Sequence, residues 1–179
     1  MTSIRVLPSA ELTPAQWSEL TDLCVAAFDE PWGDYWEAIG PGVHVLAEDE
    51  ERRILAHAAI VDRLLYPDDA VLRSGYVEAV AVLPEFQRQG HGTAVMGVID
   101  RMIDEQHELG GLGTGSHHFY ERLGWVTWQG TAWIRERDGR LVRSPDDEGG
   151  IMVRRTPATP PGLDLSLPIA VDWRPDEVW

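Results

Sequence analysis

The segment from Tyr76 to Gly92 constrains the fold most, because it places a strand, a proline and a glycine-rich turn directly before the longest helical pattern. The turn reads QRQGHG over 87–92, and apolar residues then recur at helical spacing over 91–109. Gly90 and Gly92 allow close backbone approach to a ligand, and a helix N-terminus supplies N–H groups without intrahelical partners. The segment predicts a sheet element followed by a turn that can hold pyrophosphate, although such glycines also serve ordinary turns. The spacing is neither that of a P-loop nor that of a dinucleotide-binding GxGxxG motif.

The other local patterns predict strands mixed with helices. Strands are predicted over 3–7, 43–49, 53–66 and 75–83, near Leu112, and within 125–136 and 140–144; helices are predicted from Pro14 to Phe28, from Tyr35 to Ile39, from His91 to Leu109 and from Ser116 to Gly124. We expect the runs at 43–49 and 53–66 to form a hairpin, Thr13 to cap the first long helix, and Gly110 and Gly111 to end the third. Elements mixed in this order predict an α/β or α+β sheet with helices on its faces, in one domain over 1–179.

The charge and cysteine content exclude several classes of protein. All 15 basic residues are Arg against 30 acidic residues, so the net charge of -15 disfavours nucleic acid as a partner. It leaves open general solubility or a polycationic substrate. No apolar run approaches the roughly 18 residues that span a bilayer, and the N-terminus lacks the pattern of a signal peptide, so we expect a cytoplasmic protein without a membrane partner. Cys24, the single cysteine, excludes an internal disulfide and a cysteine-rich zinc site.

The glycine-rich turn resembles the acetyl-CoA motif Q/R-x-x-G-x-G/A of the GNAT acetyltransferases. Gln87, Gly90 and Gly92 match that motif, and FYERLGW at 119–125 resembles the second motif of the family, a helical tyrosine ahead of Gly-Phe or Gly-Trp. The resemblance implies acetyl-CoA as the acetyl donor, no metal, and a mixed, mostly antiparallel central sheet whose strands splay at the coenzyme site. It implies the following coenzyme contacts: Val80, Ala81 and Val82 along the pantetheine arm, then Gln87, Arg88, Gln89, Gly90, His91, Gly92 and Gly113.

Segments beyond these motifs resemble the aminoglycoside 2'-N-acetyltransferases within that family. They lie at 75–82, 108–115, 119–125, 144–149 and 171–179, and the last is the most discriminating because it is outside the shared GNAT core. This resemblance implies that Glu78 acts as base through water and Tyr120 as general acid, with an extension over 156–179 completing the substrate site. It implies that an aminoglycoside contacts Asp147, Glu177, the carboxylate of Trp179 and an early acidic residue, Glu30 or Asp34. We count Trp179 with Glu78 and Tyr120 as a catalytic residue, and we predict that Trp36 contacts the substrate because an aromatic face beside carboxylates suits an amine. Asp29 is an alternative to Glu30 and Asp34 as the early acidic contact.

The residues alone leave the roles of Glu78 and Tyr120 open. Strand alternation puts Glu78 on one face with Tyr76, Val80 and Val82, where a lone carboxylate is costly to bury without a partner. It is either a catalytic base or an acid satisfied by Arg73 or a loop N–H. A helical Tyr120 is either a packing residue or a proton donor. His117 and His118 are adjacent on a helix and point in different directions, so we predict no metal site there.

Three functions therefore compete. The first is acetylation of the 2'-amino group of an aminoglycoside, with drug resistance as its consequence and a homodimer as the expected assembly. The second is a GNAT enzyme for another amine, such as a polyamine or a peptide N-terminus. The third is an acyl-CoA sensor without turnover. The sequence does not choose between a deoxystreptamine drug and a kasugamycin-like one. If Trp179 presents a free carboxylate to the substrate, a C-terminal tag should impair activity.

Overall fold

The computed structural model describes residues 2–175 and 178–179, and its backbone divides into two compact units. The first unit comprises the residues up to Val61 together with Val77–Arg101, and the second comprises Asp62–Tyr76 together with the residues from Met102 onward. Strands β3 (Ile54–Pro67) and β4 (Leu72–Val82) and helix α3 (His91–Gln106) each contribute to both units.

The first unit packs helices against antiparallel strands. It contains β1 (Ser3–Pro8), α1 (Pro14–Phe28), α2 (Tyr35–Ile39) and β2 (Val43–Glu48). β2 pairs antiparallel with both β1 and β3, which confirms the predicted hairpin. Thr13 caps α1 as predicted: its hydroxyl accepts a hydrogen bond from the backbone of Gln16, whose side chain accepts one from the Thr13 N–H. The core of this unit includes Leu20, Leu23 and Ile54.

The second unit is built on the rest of the sheet. It contains β5 (Leu109–Gly113), α4 (His117–Glu121), β6 (Val126–Thr127), β7 (Ala132–Arg135), β8 (Leu141–Arg143), β9 (Ile151–Arg155) and β10 (Ile169–Asp172). The strand order is β6-β9-β5-β4-β3-β10-β7-β8. β4 runs parallel to β5 and β10 runs parallel to β7, whereas β5–β9, β6–β9, β3–β10 and β7–β8 are antiparallel. The predicted fold class, a mixed and mostly antiparallel sheet with flanking helices, is confirmed.

The predicted C-terminus of the third helix is wrong. α3 ends at Gln106, and Gly110 and Gly111 lie in β5 instead of terminating the helix. They pair with Gly75 and Tyr76 of β4, and a Cβ on Gly111 would come within 2.9 Å of the Tyr76 ring. The two glycines therefore allow close packing in the sheet, and they do not mark the end of the helix.

The C-terminal segment supplies two strands that the sequence patterns did not predict, β9 and β10. Between them, the proline-rich stretch 156–168 is held by side-chain contacts. The indole N–H of the buried Trp128 donates to the carbonyl of Leu167 over 2.8 Å. A Cβ on Gly130 would lie 1.8 Å from the same carbonyl oxygen, so only glycine fits there.

Candidate active site

Glu78, the candidate base, is a buried carboxylate with a tyrosine partner. Its side chain is 6% exposed, and one carboxylate oxygen accepts a hydrogen bond from the Tyr35 hydroxyl at 2.7 Å. Tyr35 is supplied by α2. Arg73, the partner considered from sequence, instead pairs with Glu108 over 3.5 Å. Sequence analysis missed Tyr35 because 43 residues separate it from Glu78; its position in an acidic, aromatic segment was the only available signal.

The backbone next to Glu78 is left-handed, which corrects the predicted strand alternation. Ala79 has φ 52°, a conformation that costs an L residue about 1–2 kcal/mol. A left-handed residue interrupts the pleat, so the single face predicted for Tyr76, Glu78, Val80 and Val82 does not continue through it. The Ala79 carbonyl accepts a hydrogen bond from His57 Nδ1 at 2.8 Å. Irregular backbone that is held by specific contacts is typical of functional positions.

Aromatic side chains surround Tyr35 in the first unit. The ring of Trp32 lies 4.3 Å from Tyr35, 5.3 Å from Phe28 and 5.4 Å from Trp36, measured between centroids. Trp17 lies 5.3 Å from Trp36. We call these five residues the aromatic cluster. The indole N–H of Trp36 donates to the hydroxyl of Thr21 over 2.9 Å, so this predicted substrate contact has a structural hydrogen bond as well.

The acidic residues predicted to meet substrate near this cluster are exposed. Asp29 terminates α1 with φ 56°, and Glu30 and Asp34 follow it in the connection to α2. Carboxylates and aromatic faces are the groups that bind organic cations in water. Their placement on one short connection is compatible with binding an amine-rich ligand.

The predicted coenzyme turn is exposed and tightly wound. Arg88 and Gly90 have φ values of 60° and 90°, and α3 begins at His91 immediately afterwards. The Gln87 amide donates to the Val82 carbonyl at 3.3 Å, and the Gln89 amide donates to the Glu85 carbonyl at 2.9 Å. These two side chains tie the turn to the residues before it, and Gly90 has open space where a side chain would be.

In the second unit, Tyr120 is a buried residue of α4. Its ring packs 4.9 Å from Phe119 and 6.3 Å from Trp125 between centroids. Burial raises the pKa of its hydroxyl to about 12. Tyr120 therefore keeps its proton at neutral pH, as a proton donor must.

The end of the chain is fastened to the same unit. Arg63 donates to the carbonyls of Val178 and Asp172, at 2.6 and 2.7 Å, and its guanidinium lies 5.0 Å from the centre of the Tyr76 ring. Trp179 is 6% exposed, and a Cβ on Gly113 would lie 3.3 Å from both the carbonyl carbon and the carbonyl oxygen of Trp179. The structure thus brings together two predicted site residues, Gly113 and Trp179.

Two predicted substrate contacts remain. Asp147 is half-buried and accepts a hydrogen bond from the hydroxyl of Ser144. Glu177 lies outside the described residues. Among residues 2–175 and 178–179, no group of three or more His, Cys, Asp or Glu side chains is arranged to hold a metal ion. Over the same residues, the helices are too short or too polar to cross a bilayer.

Comparison with known proteins identifies similar sequences and structures. Residues 11–125 match the acetyltransferase (GNAT) family. An aminoglycoside 2'-N-acetyltransferase of Mycolicibacterium fortuitum is 35% identical over 162 residues, which cover 88% of this chain and 82% of that protein.

Solved structures share the fold at low sequence identity. The Escherichia coli GNAT-family N-acetyltransferase YhbS, solved in complex with CoA, has a TM-score of 0.63 at 15% identity. The superposed part covers 95% of this chain and 89% of the YhbS chain. A conserved Enterococcus faecalis protein has a TM-score of 0.57 at 17% identity over 70% of this chain, which spans only 32% of that longer protein. At these identities the structures establish the fold and carry no information about substrate.

Proposed function

Because this chain belongs to the GNAT acetyltransferase family, we propose that it transfers the acetyl group of acetyl-CoA to the 2'-amino group of an aminoglycoside. The observation that carries the proposal is the buried carboxylate of Glu78, which accepts a hydrogen bond from the Tyr35 hydroxyl. Glu78 lies on β4, the strand that leads into the turn with the family's coenzyme motif. The similarity to the M. fortuitum aminoglycoside 2'-N-acetyltransferase supports the choice of substrate. We also propose that 1–179 acts as one catalytic domain, with 156–179 completing the substrate site.

In this proposal the coenzyme binds along β4 and the turn that follows. The backbone of Val80, Ala81 and Val82 pairs with the pantetheine arm, and the N–H groups of 87–92 hold the pyrophosphate. The exposed turn and its two glutamine tethers support this assignment. The backbone N–H of Val80 is the candidate donor to the oxygen that becomes negative during transfer.

The reaction requires three proton transfers and one acyl transfer. Glu78, acting through a water molecule, takes a proton from the substrate ammonium, and the neutral nitrogen then attacks the thioester carbonyl. The C–N bond forms, the C–S bond breaks, and the departing thiolate receives a proton from Tyr120. The second proton, which the nitrogen loses as it becomes an amide, returns to the Tyr120 oxygen. Tyr120 can serve as the donor to the thiolate because its buried hydroxyl carries its proton at neutral pH.

Substrate recognition is proposed to rest on carboxylates and aromatic faces. Exposed Glu30 and Asp34 and half-buried Asp147 offer negative charge to a polycation, while Trp36 offers an aromatic face. Glu177 and the chain end at Trp179 are proposed further contacts. The net charge of -15 would attract such a substrate over distances within the screening length of the buffer.

The test is acetyl-CoA-dependent thiol release with a panel of aminoglycosides. Turnover with drugs that bear a free 2'-amine, and none with drugs that carry a 2'-hydroxyl, is the expected result. Mass and NMR analysis of the product should place one acetyl group on the 2'-nitrogen. Turnover that ignores the 2'-substituent would refute the regiochemistry, and turnover with a polyamine or peptide alone would refute the substrate class.

The remaining alternative is an acyl-CoA sensor. It predicts acetyl-CoA binding by calorimetry with no thiol release for any amine. Expression in a susceptible bacterium measures the proposed resistance, and fractionation of the same cells tests the proposed cytoplasmic location. Light scattering of the purified protein tests the proposed homodimer.

A further inference from the structure

A chain of hydrogen bonds runs through the core of the first unit to the backbone beside Glu78. The Ser9 hydroxyl lies 2.9 Å from His44 Nε2, His44 Nδ1 lies 2.9 Å from His57 Nε2, and His57 Nδ1 lies 2.8 Å from the Ala79 carbonyl oxygen. His44 and His57 are 1% and 0% exposed. None of the roles proposed above uses this chain.

The direction of every bond in the chain follows from its last member. A carbonyl oxygen only accepts, so the hydrogen of His57 is on Nδ1, and His57 Nε2 must accept from His44 Nδ1. His44 Nε2 then accepts from the hydroxyl of Ser9 at 2.9 Å, which is shorter than the 3.1 Å from the same hydroxyl to its other acceptor, the Gly42 carbonyl. The Ser9 oxygen in turn accepts the Gly42 N–H at 2.9 Å. All four ring nitrogens are satisfied with both rings neutral, and burial lowers the pKa of His44 to about 4 and that of His57 to about 3.

The acceptor at the end of the chain is the strained residue. Ala79 is in the left-handed region at φ 52°, which a residue with a Cβ adopts only when its surroundings impose it. Its neighbours are Glu78, the proposed base, and Val80, whose N–H is the proposed oxyanion donor. A rotation about the Ala79 bonds would redirect both groups.

The two imidazoles are themselves held by packing. His57 lies 5.6 Å and His44 6.0 Å from the ring of Trp36, and His44 lies 5.1 Å from Trp17, between centroids. These tryptophans belong to the aromatic cluster that also holds Tyr35. Tyr35 therefore holds the Glu78 carboxylate, and His57 holds the carbonyl of the next residue, Ala79.

We propose that His44 and His57 are positioning residues, which hold the Ala79 carbonyl in the left-handed turn of β4 and thereby aim the Glu78 carboxylate and the Val80 N–H. The inference rests on the proposed function, in which Glu78 is the base and the Val80 N–H is the oxyanion donor. Its structural part, the control of the Ala79–Val80 backbone by His57, stands independently of which amine is the substrate.

The test compares two variants that each keep half of the His57 hydrogen bonds. In His57→Asn, the amide nitrogen replaces Nδ1 and can still donate to the Ala79 carbonyl; in His57→Gln, the amide group replaces Nε2 and loses that donor. We expect His57→Gln to lower kcat about tenfold or more with the KM of the amine within about twofold, and His57→Asn to stay within about threefold of wild type. Exchange of Ala79 for Gly removes the strain of the left-handed backbone. Adding Ala79→Gly to His57→Gln should therefore raise kcat at least about threefold above that of His57→Gln alone.

Two measurements separate positioning from simple destabilisation. The Tm of each variant is compared with that of His107→Gln, which removes a largely buried histidine from the second unit and should leave kcat unchanged. The amide resonance of Val80 in the ¹⁵N–¹H spectrum, recorded without ligand, should move in His57→Gln and return toward wild type in His57→Asn.

The outcomes of this test differ from those of the substrate panel. Wild-type protein that acetylates no aminoglycoside would refute the proposed function, while the Val80 resonance would still decide the structural part. The inference would be overturned if His57→Asn and His57→Gln lost the same amount of kcat and the same amount of Tm. It would also be overturned if the Val80 resonance did not move in His57→Gln. If His57→Gln does not fold, the decision passes to Ala79→Val, whose branched side chain is incompatible with the left-handed turn. Unchanged kcat in that variant would overturn the inference, and a large kcat loss with wild-type KM would support it.

Discussion

Glu78 and Tyr120 are both buried, but the groups that control them differ in kind. Glu78 has a hydroxyl on its carboxylate at 2.7 Å, and the adjacent carbonyl is bonded to an imidazole at 2.8 Å. Tyr120 is enclosed by the rings of Phe119 and Trp125, and desolvation alone raises its pKa. The position of the proposed base is thus set by directional hydrogen bonds, and the protonation of the proposed acid is set by exclusion of water. The first should respond to the loss of single atoms, and the second mainly to changes in polarity or volume.

The largest effect is expected from Glu78→Gln. The amide keeps the size of the side chain and still accepts from Tyr35, but it cannot take a proton, so kcat should fall about 10²–10³-fold while acetyl-CoA affinity is retained. Steady-state kinetics and calorimetry measure the two quantities. Glu85→Gln, which changes an exposed carboxylate paired with Arg53, is the matched control. A kcat within threefold of wild type would remove Glu78 from the mechanism.

Tyr120→Phe should have the next largest effect. It removes one oxygen and preserves the packing against Phe119 and Trp125, so kcat should fall about 10–100-fold with little change in Tm. Tyr66→Phe removes a hydroxyl that binds Asp172 and serves as the control, with kcat expected to stay near wild type. If Tyr120→Phe lost stability and kept kcat, Tyr120 would be a packing residue, the alternative that the sequence leaves open.

The same contrast explains which features of the molecule could be predicted from sequence. The cap at Thr13 and the turn over 87–92 depend on neighbours within a few residues, and both were found. The partners of Glu78 and Ala79 could not be read locally, because Tyr35 and His57 are 43 and 22 residues away. Such contacts are fixed by tertiary packing, which leaves no periodic trace in the chain.

Two errors have the same origin. Alternation predicted a regular strand through Ala79, since alanine, unlike the glycines of the proposed coenzyme turn, gives no sign of a left-handed backbone. Gly110 and Gly111 were assigned to a helix end, although in β5 Gly111 makes room for Tyr76 and Gly110 makes room for Trp125. In both cases the decisive contact is made by a residue distant in sequence.

Lowering the pH should reduce the free energy of unfolding through His44 and His57, the two buried histidines of the hydrogen-bond chain that ends beside Glu78. The pKa values of His44 and His57 are lowered in the folded state from 6.5 to about 4 and about 3, so below pH 6.5 the unfolded chain binds protons that the folded chain does not. The free energy of unfolding should therefore fall as pH drops from about 6.5 toward 4, by up to about 1.4 kcal/mol per pH unit for each imidazole. Urea titrations at several pH values measure this slope. The double variant His44→Asn, His57→Asn should lose it, and His118→Gln, at an exposed site, should not.

Tyr35→Phe tests the hydrogen bond to the Glu78 carboxylate. The aromatic packing is retained, but one charge-assisted hydrogen bond is lost, so we expect kcat to fall about fivefold to tenfold. Thr21→Val is the matched control. It removes the hydroxyl that accepts the Trp36 indole N–H, and so perturbs the aromatic cluster without altering the Glu78 contact. It should lower Tm and leave kcat near wild type. Equal kinetic effects of the two variants would mean that the cluster acts through stability alone.

The smallest expected effect concerns packing in the second unit, where Gly113 lies against Trp179. A Cβ at Gly113 would meet the Trp179 carbonyl carbon and oxygen at 3.3 Å, so Gly113→Ala must displace the end of the chain by a few tenths of an ångström. Because Trp179 is proposed to contact the aminoglycoside, the aminoglycoside kcat/KM should fall about twofold to fivefold. Gly115→Ala, where nothing lies within 4 Å of the new methyl group, should have no such effect. A rise confined to the KM of acetyl-CoA would instead assign Gly113 to coenzyme binding alone, and would contradict the substrate role of the chain end.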